Sequence, residues 1–178
     1  MKPIDVPFTH IIVGAGSAGC LLANRLSARP ENNVLLVEAG GWDQDFWLKL
    51  PVGYFRSINN PSVSRHFATT PSEGTAGRSI DWPRGKVVGG SSSINGLIFI
   101  RGQKDTFDEW AALGNRGWSS ADVLPYFRRL ESFTGPPSQY HGSHGELQVS
   151  QLRNDHPYCE AWLRSASQFG LPRNDDFN

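Results

Sequence analysis

Between Thr9 and Gly40, two short apolar runs flank a glycine turn and a helical stretch, and few folds accommodate that order. Ile11, Ile12 and Val13 predict a strand that ends at Gly14-Ala15-Gly16-Ser17-Ala18-Gly19. Leu21, Leu22, Arg25 and Leu26 carry a helical pattern that breaks over Ala28 to Asn33. Val34-Leu35-Leu36-Val37 then form a second strand and deliver Glu38 at its carboxyl end. A strand–turn–helix–strand unit of this kind belongs to an α/β fold. If the ligand is an adenine dinucleotide, each glycine has a physical role. Gly14 allows the tight turn, Gly16 lets a pyrophosphate approach the backbone, and Gly19 lets the helix pack closely on the strand. The unpaired N–H groups and the positive dipole end of the helix, at Ser17 and Ala18, then face the phosphates. Glu38, 19 residues after Gly19, can accept hydrogen bonds from the ribose hydroxyls. A plain glycine turn with a solvated Glu38 would leave this joint spacing unexplained. The unit does not separate nicotinamide from flavin dinucleotides.

The chain has 178 residues, enough for one domain with a sizeable core or one domain and the start of another. Its 17 basic and 17 acidic residues cancel, without charge blocks, so no nucleic acid or anionic membrane surface is expected as a partner. No apolar run reaches the length of a membrane span, and the first seven residues lack the apolar core of a signal peptide. Cys20 and Cys159 are the only cysteines, neither with a metal-spaced partner, so a reducing, cytoplasmic setting without disulfides is expected. Cys20 reads as a small buried side chain at the start of the helix.

Beyond Gly40 the chain turns aromatic, with Trp42, Phe46, Trp47, Tyr54 and Phe55, while Pro51 and Gly53 argue against long regular elements. Such a loop is expected to pack over a neighbouring domain or a flat ligand. Arg65 to Thr70 predicts a short strand. Lys104 to Leu113 predicts a helix stopped by Gly114, with Phe107, Trp110 and Ala111 near one face. Ser119 and Asp122 form a capping box that opens a second helix through Leu130. Phe133 to Gly145 reads as a loop, Glu146 to Ser150 as a strand, and Asn154 to His156 as the entry to a helix over Pro157 to Phe169. Gly170 is placed to end that helix in a left-handed cap.

The stretch Gly85-Lys86-Val87-Val88-Gly89-Gly90-Ser91-Ser92-Ser93-Ile94-Asn95 narrows the ligand further. Adjacent glycines followed by serines give a backbone that can press against a planar or anionic group, with neutral hydrogen bonds from hydroxyls and the Asn95 amide. The aliphatic run Leu97-Ile98-Phe99-Ile100 follows at once, which predicts that this loop is buried at the ligand.

This stretch, running on to Gly102 and Asp108, resembles the first signature of the glucose–methanol–choline (GMC) family of flavin oxidoreductases. Gly14 to Gly19, Glu38, Trp110, Gly117, Trp118, His141 and Gly142 extend the similarity from Phe8 to Asn178, and bacterial alcohol and choline dehydrogenase-like members resemble it most. The resemblance implies a Rossmann-like FAD-binding domain of GMC type, incomplete, over residues 1–145, and the beginning of an α+β substrate domain over 146–178. It implies that Gly14, Gly16, Ser17, Ala18 and Gly19 hold the FAD pyrophosphate and Glu38 the adenosine ribose. Val88, Gly89, Gly90, Ser91, Asn95, Gly96, Leu97 and Ile98 would line the flavin and its diphosphate–ribityl portion. Some members attach FAD through a histidine just before the matching asparagine. Ile94 stands there, so non-covalent FAD is expected.

The family reaction passes a hydride from an alcohol carbon to flavin N5 while a histidine takes the hydroxyl proton. No residue of this chain matches that base, so no catalytic residue is assigned. His10 reads as a strand-edge residue, His66 as part of a strand, and His156 as a helix-entry residue. His141 and His144 form an HxxH that lacks further ligands, so no metal is expected. His141 and Gly142 match a loop that is structural in the family. The resemblance places the base, and most of the substrate domain, in later sequence. Without it, the faces of Ile11–Val13 and Val34–Val37 would stay partly uncovered, so a complementary C-terminal chain is the expected partner, with an alcohol as substrate. Family chemistries other than alcohol oxidation, a lyase and a photodecarboxylase, and a non-catalytic fragment are the alternatives.

Overall fold

The computed structural model describes residues 7–152 and 156–178. They divide into an N-terminal unit that ends at Ile98 and a C-terminal unit that begins at Phe99. The division at Gly145/Glu146 concerns the parts of a complete enzyme and remains a proposal.

The N-terminal unit opens as the glycine spacing predicts. Strand β1 (His10–Val13) pairs in parallel with β2 (Val34–Val37), in the register His10 to Val34 and Val13 to Val37. Helix α1 (Ser17–Ser27) makes the crossover. It packs tightly because Gly19 has no side chain; a Cβ there would sit 1.8 Å from the Gly14 carbonyl oxygen. The face away from α1 is open, with Ile11 65% and Val13 84% exposed.

The aromatic loop contains only short elements: 3₁₀ turns over Phe46–Lys49 and Pro51–Gly53, then α2 (Tyr54–Ser57). Asp45 caps the first turn by accepting the Trp47 N–H at 2.8 Å. Arg56 lies over the Trp47 ring, 4.4 Å from its centroid, where the guanidinium meets the negative π face. Strand β3 (Ser64–Ala68) falls where the alternation predicts it and pairs antiparallel with β4 (Asp81–Gly85). β4 contains Pro83, a residue that propensity alone disfavours within a strand. Beneath this hairpin, Val63, Val87 and Ile94 form a small buried core, with Leu48 and Ile58 against it.

In the C-terminal unit, α3 (Lys104–Ala112) and α4 (Ser120–Leu130) meet through edge-on aromatic contacts. Phe107 lies 5.6 Å from Trp110 and 5.8 Å from Phe127. The Ser119–Asp122 capping box is formed as read from the sequence. Strand β5 (Glu131–Phe133) follows α4 and pairs in parallel with β6 (Leu147–Val149), so Phe133, the first residue of the expected loop, belongs to a strand. Helix α5 (Pro157–Gln168) ends at Gly170, which has the left-handed φ of +95°. Asn154 and Asp155 lie outside the described residues.

An ionic chain holds this unit together. Glu131 is fully buried and accepts from Arg101, from His141 Nδ1 at 2.8 Å and from the Gly142 N–H at 3.2 Å. His141 Nε2 meets Asp176 Oδ2 at 2.9 Å, and the ring stacks on Phe133 with centroids 3.8 Å apart. Partial burial raises the Asp176 carboxyl's proton affinity. The Asn178 N–H, the His141 contact and the His141 and Arg101 charges outweigh that and hold it below the usual carboxylate range. A buried carboxylate is tolerated only when paired and hydrogen-bonded, and Glu131 has both. His141 thus has a structural role, as expected. Among the described residues, no group of three or more His, Cys, Asp or Glu side chains is placed to hold a metal.

Candidate functional site

The two glycine motifs, far apart in sequence, come together at the amino end of α1. The link is Ala15, which sequence reading passed over because its methyl group offers no chemistry. It is fully buried, and its backbone is used in both directions. Its N–H donates to Glu38 Oε2 at 2.8 Å, while its carbonyl accepts the Gly89 N–H at 2.7 Å and the Cys20 thiol at 3.1 Å. Cys20, expected to be a small buried side chain, is half-buried, its thiol bonded to the loop; neither cysteine is in a disulfide.

Gly90 then lies directly against Gly16. A Cβ on Gly90 would be 2.7 Å from the Gly16 Cα, and the φ of +58° at Gly90 already favours glycine. Gly89 also has a positive φ, +94°. Val88 donates its N–H to the Gly41 carbonyl at 2.9 Å, so the second motif is laced to the segment leaving β2. Ser91 Oγ accepts the Gly85 N–H at 3.1 Å. Gly40 and Gly85 allow the close approach, since a Cβ at either would strike backbone, at 2.0 Å and 2.1 Å respectively.

The helix end is open to an anion. Gly16 is the N-cap of α1 and supplies no side-chain acceptor, and the first turn, including Ser17 and Ala18, carries no acid. The unpaired N–H groups and dipole of that turn are consequently uncompensated by the chain itself. Glu38 sits where the second strand places it. Its Oε1 accepts the Gly40 N–H at 2.9 Å and its Oε2 the Ala15 N–H, so it braces both the glycine loop and its own turn. Each oxygen retains a further lone pair for a hydroxyl donor.

Beyond Gly90 the motif passes through a 3₁₀ turn, Gly90–Ser93, to Ile94, which is buried in the small core. Asn95, Gly96, Leu97 and Ile98 then run along the surface, Ile98 being 82% exposed. Leu97, Ile98 and Ile100 of the aliphatic run are thus exposed, while Phe99 is half-buried. Asn95 and Leu97 border a cavity of about 180 Å³ whose other walls include Trp47, Leu50 and Tyr54. The aromatic loop thus packs beside the second motif.

None of the described histidines borders that cavity. His66 is bonded to Asp81 at 2.7 Å and the Ile58 carbonyl at 2.9 Å, and His10 to Thr9 at 2.9 Å. No helix among the described residues is long and apolar enough to cross a membrane.

Comparison with known proteins agrees with this geometry. The GMC oxidoreductase family profile matches residues 8–178. The oxygen-dependent choline dehydrogenase of Photobacterium profundum is 42% identical over 178 residues, 98% of this chain and 31% of that protein. The alcohol dehydrogenase [acceptor] of Pseudomonas putida is 40% identical over 172 residues, 96% of this chain and 31% of its own length. Among solved structures, pyridoxine 4-oxidase from Mesorbium loti superposes with a TM-score of 0.87 at 33% identity, over 95% of this chain and 33% of that one. The chain spans about a third of the length of the relatives it matches. With both glycine motifs joined at one helix end and a match running almost end to end, the chain belongs to the GMC oxidoreductases.

Proposed function

We propose that this chain is the FAD-binding portion of an oxidoreductase that converts an alcohol to a carbonyl compound. The observation that carries the reading is the contact of Gly16 with Gly90, which joins both motifs in one side-chain-free surface at the uncapped end of α1. That surface suits a diphosphate, whose charge meets the α1 N–H groups, with Glu38 beside it for ribose hydroxyls. When bound, FAD supplies the two-electron acceptor for the alcohol's hydride. The chain's own residues bind and orient it: Gly14, Gly16, Ser17, Ala18 and Gly19 at the pyrophosphate, and Val88 through Ser91 with Asn95 through Ile98 along the flavin portion. Attachment is non-covalent, since buried Ile94 stands where a linking histidine would be.

The proton-accepting base comes from a complementary C-terminal segment, which also covers Ile11, Val13 and Ile98. The exposure of these side chains supports that reading, as does the absence of any histidine beside the cavity. Family likeness to choline and alcohol dehydrogenases favours alcohol oxidation over the lyase and photodecarboxylase chemistries.

Co-expressing the chain with the C-terminal remainder of the Photobacterium profundum relative tests this. The complex should be yellow, release its flavin into the supernatant on acid precipitation, and bleach anaerobically on addition of choline or a primary alcohol. A colourless complex would remove FAD from the reading. A flavin that stays with the precipitate would overturn non-covalent binding. A yellow complex that bleaches only under blue light would replace alcohol oxidation.

A further inference from the structure

The segment after α5 returns to the buried ionic chain of the C-terminal unit. There Asn178 makes a two-sided contact with the unit's opening residues. Its Oδ1 accepts the Arg101 N–H at 2.8 Å, and its Nδ2 donates to the Phe99 carbonyl at 3.2 Å. A backbone N–H can meet only the oxygen of an amide, so the side chain has one orientation.

Asp176 sets Asn178 in that position. Its Oδ1 accepts the Asn178 N–H at 3.0 Å, while its Oδ2 meets His141 Nε2 at 2.9 Å. Partial burial opposes its ionisation, but the Asn178 N–H and the His141 contact outweigh this and hold its carboxyl below the usual carboxylate range. Asp176 is therefore an acceptor only.

The other edge of the His141 ring faces a second carboxylate. Nδ1 lies 2.8 Å from Glu131 Oε1, and Glu131 Oε2 accepts from Arg101 and the Gly142 N–H. Two acceptors at two ring nitrogens need two N–H groups, so the ring closes both contacts only as the imidazolium. The remaining charges around it are cationic. Arg101 lies across Glu131, and Arg128 of α4 donates from Nε to the His141 carbonyl at 3.3 Å. The Phe133 ring stacked on it is uncharged.

A neutral ring keeps one proton, and burial decides which. Glu131 is fully buried, and loss of the Nδ1 proton would take away the donor that meets its Oε1. The Asp176 side chain is 41% exposed and can turn to water. The proton given up is thus the one on Nε2, whose lone pair then faces the Asp176 carboxylate.

We propose that residues 176–178 form a proton-operated clasp, closed on the C-terminal unit by the His141 imidazolium and released when Nε2 loses its proton. Every contact it uses lies within that unit, so it is independent of the flavin reading.

The full chain labelled with nitrogen-15 tests the clasp. Ring spectra follow the protons on both His141 nitrogens, and exchange of the Arg101 amide, corrected for its intrinsic rate, reports the Asn178 contact. Near pH 6 both ring nitrogens should carry protons and the Arg101 amide should be protected. As pH rises, Nε2 should lose its proton and Arg101 protection should fall about tenfold along the same curve. The Phe133 amide, bonded to the Gly142 carbonyl at 2.8 Å, should stay protected. Loss of both protections together would be unfolding and would overturn the clasp.

Asp176→Asn gives a readout that a merely structural contact would not move. Its NH₂ can donate to the lone pair of a neutral Nε2 and is repelled by the imidazolium, so Arg101 protection should rise with pH. Asn178→Ala should abolish that protection at every pH and leave the ring titration in place. Three results on the wild type overturn the proposal: a single ring proton near pH 6, a ring titration without change at Arg101, or both protons retained to about pH 10. So do Asp176→Asn with the wild-type pH dependence and Asn178→Ala with a protected Arg101.

Discussion

Gly16 and Gly90 touch so closely that the Gly16 Cα is 2.7 Å from the position of a Gly90 Cβ. A side chain on Gly90 would drive the second motif away from the amino end of α1. The surface that suits a diphosphate depends on that contact.

Gly90→Ala should therefore separate the motifs. The added methyl group meets backbone, and a residue with a Cβ at φ +58° adds strain. The expected cost is about 1–3 kcal/mol in urea unfolding, with FAD affinity reduced at least about tenfold. Gly41→Ala is the control, because a Cβ there meets nothing within 4 Å and Gly41 is not among the residues assigned to FAD.

Glu38→Gln should show that the acid supports the loop as well as any ligand. Two N–H donors, from Ala15 and Gly40, point at its two oxygens. Glutamine keeps one acceptor and turns an NH₂ toward the other donor. Loss of about 1–2 kcal/mol in urea unfolding without FAD is expected. An unchanged midpoint would mean that the bracing contacts contribute nothing.

His66 sets a pH dependence. The Asp81 hydrogen bond, with the Ile58 carbonyl second, raises its proton affinity above the ordinary value near 6.5. A raised folded-state pKa stabilises fully below the unfolded value, and that gain is lost as pH rises through the folded one. The melting-temperature difference between wild type and Asp81→Asn should accordingly be largest near pH 5.5 and shrink above pH 7. A difference that grows with pH would reverse the assignment.

Glu131→Gln should be the most disruptive single change in the C-terminal unit. It removes the charge that faces Arg101 and His141 at a fully buried position. Breaking a buried pair on one side costs about 3–5 kcal/mol. Loss of the near-ultraviolet circular dichroism of the aromatic residues packed between α3 and α4 would report it.

Local signals are what made parts of this protein legible before its fold was known. The Gly14–Gly19 turn, α1 and the Ser119–Asp122 cap depend on residues within a few positions of one another, where backbone sterics and short hydrogen bonds decide the outcome. Strands β4 and β5 were not legible. Pro83 and the short run after Leu130 are poor strand formers on propensity, and only their partners β3 and β6 make them strands.

The sequence by itself determined the glycine turn, the acid at the end of β2 and the family signature, because each is a matter of spacing along the chain. Only the tertiary structure decided that Ala15 links the two motifs, that Gly90 lies on Gly16, and that Glu38 braces the loop it follows. Those contacts join residues far apart in sequence through backbone atoms, and backbone atoms are the same in every residue, so no side-chain pattern announces them.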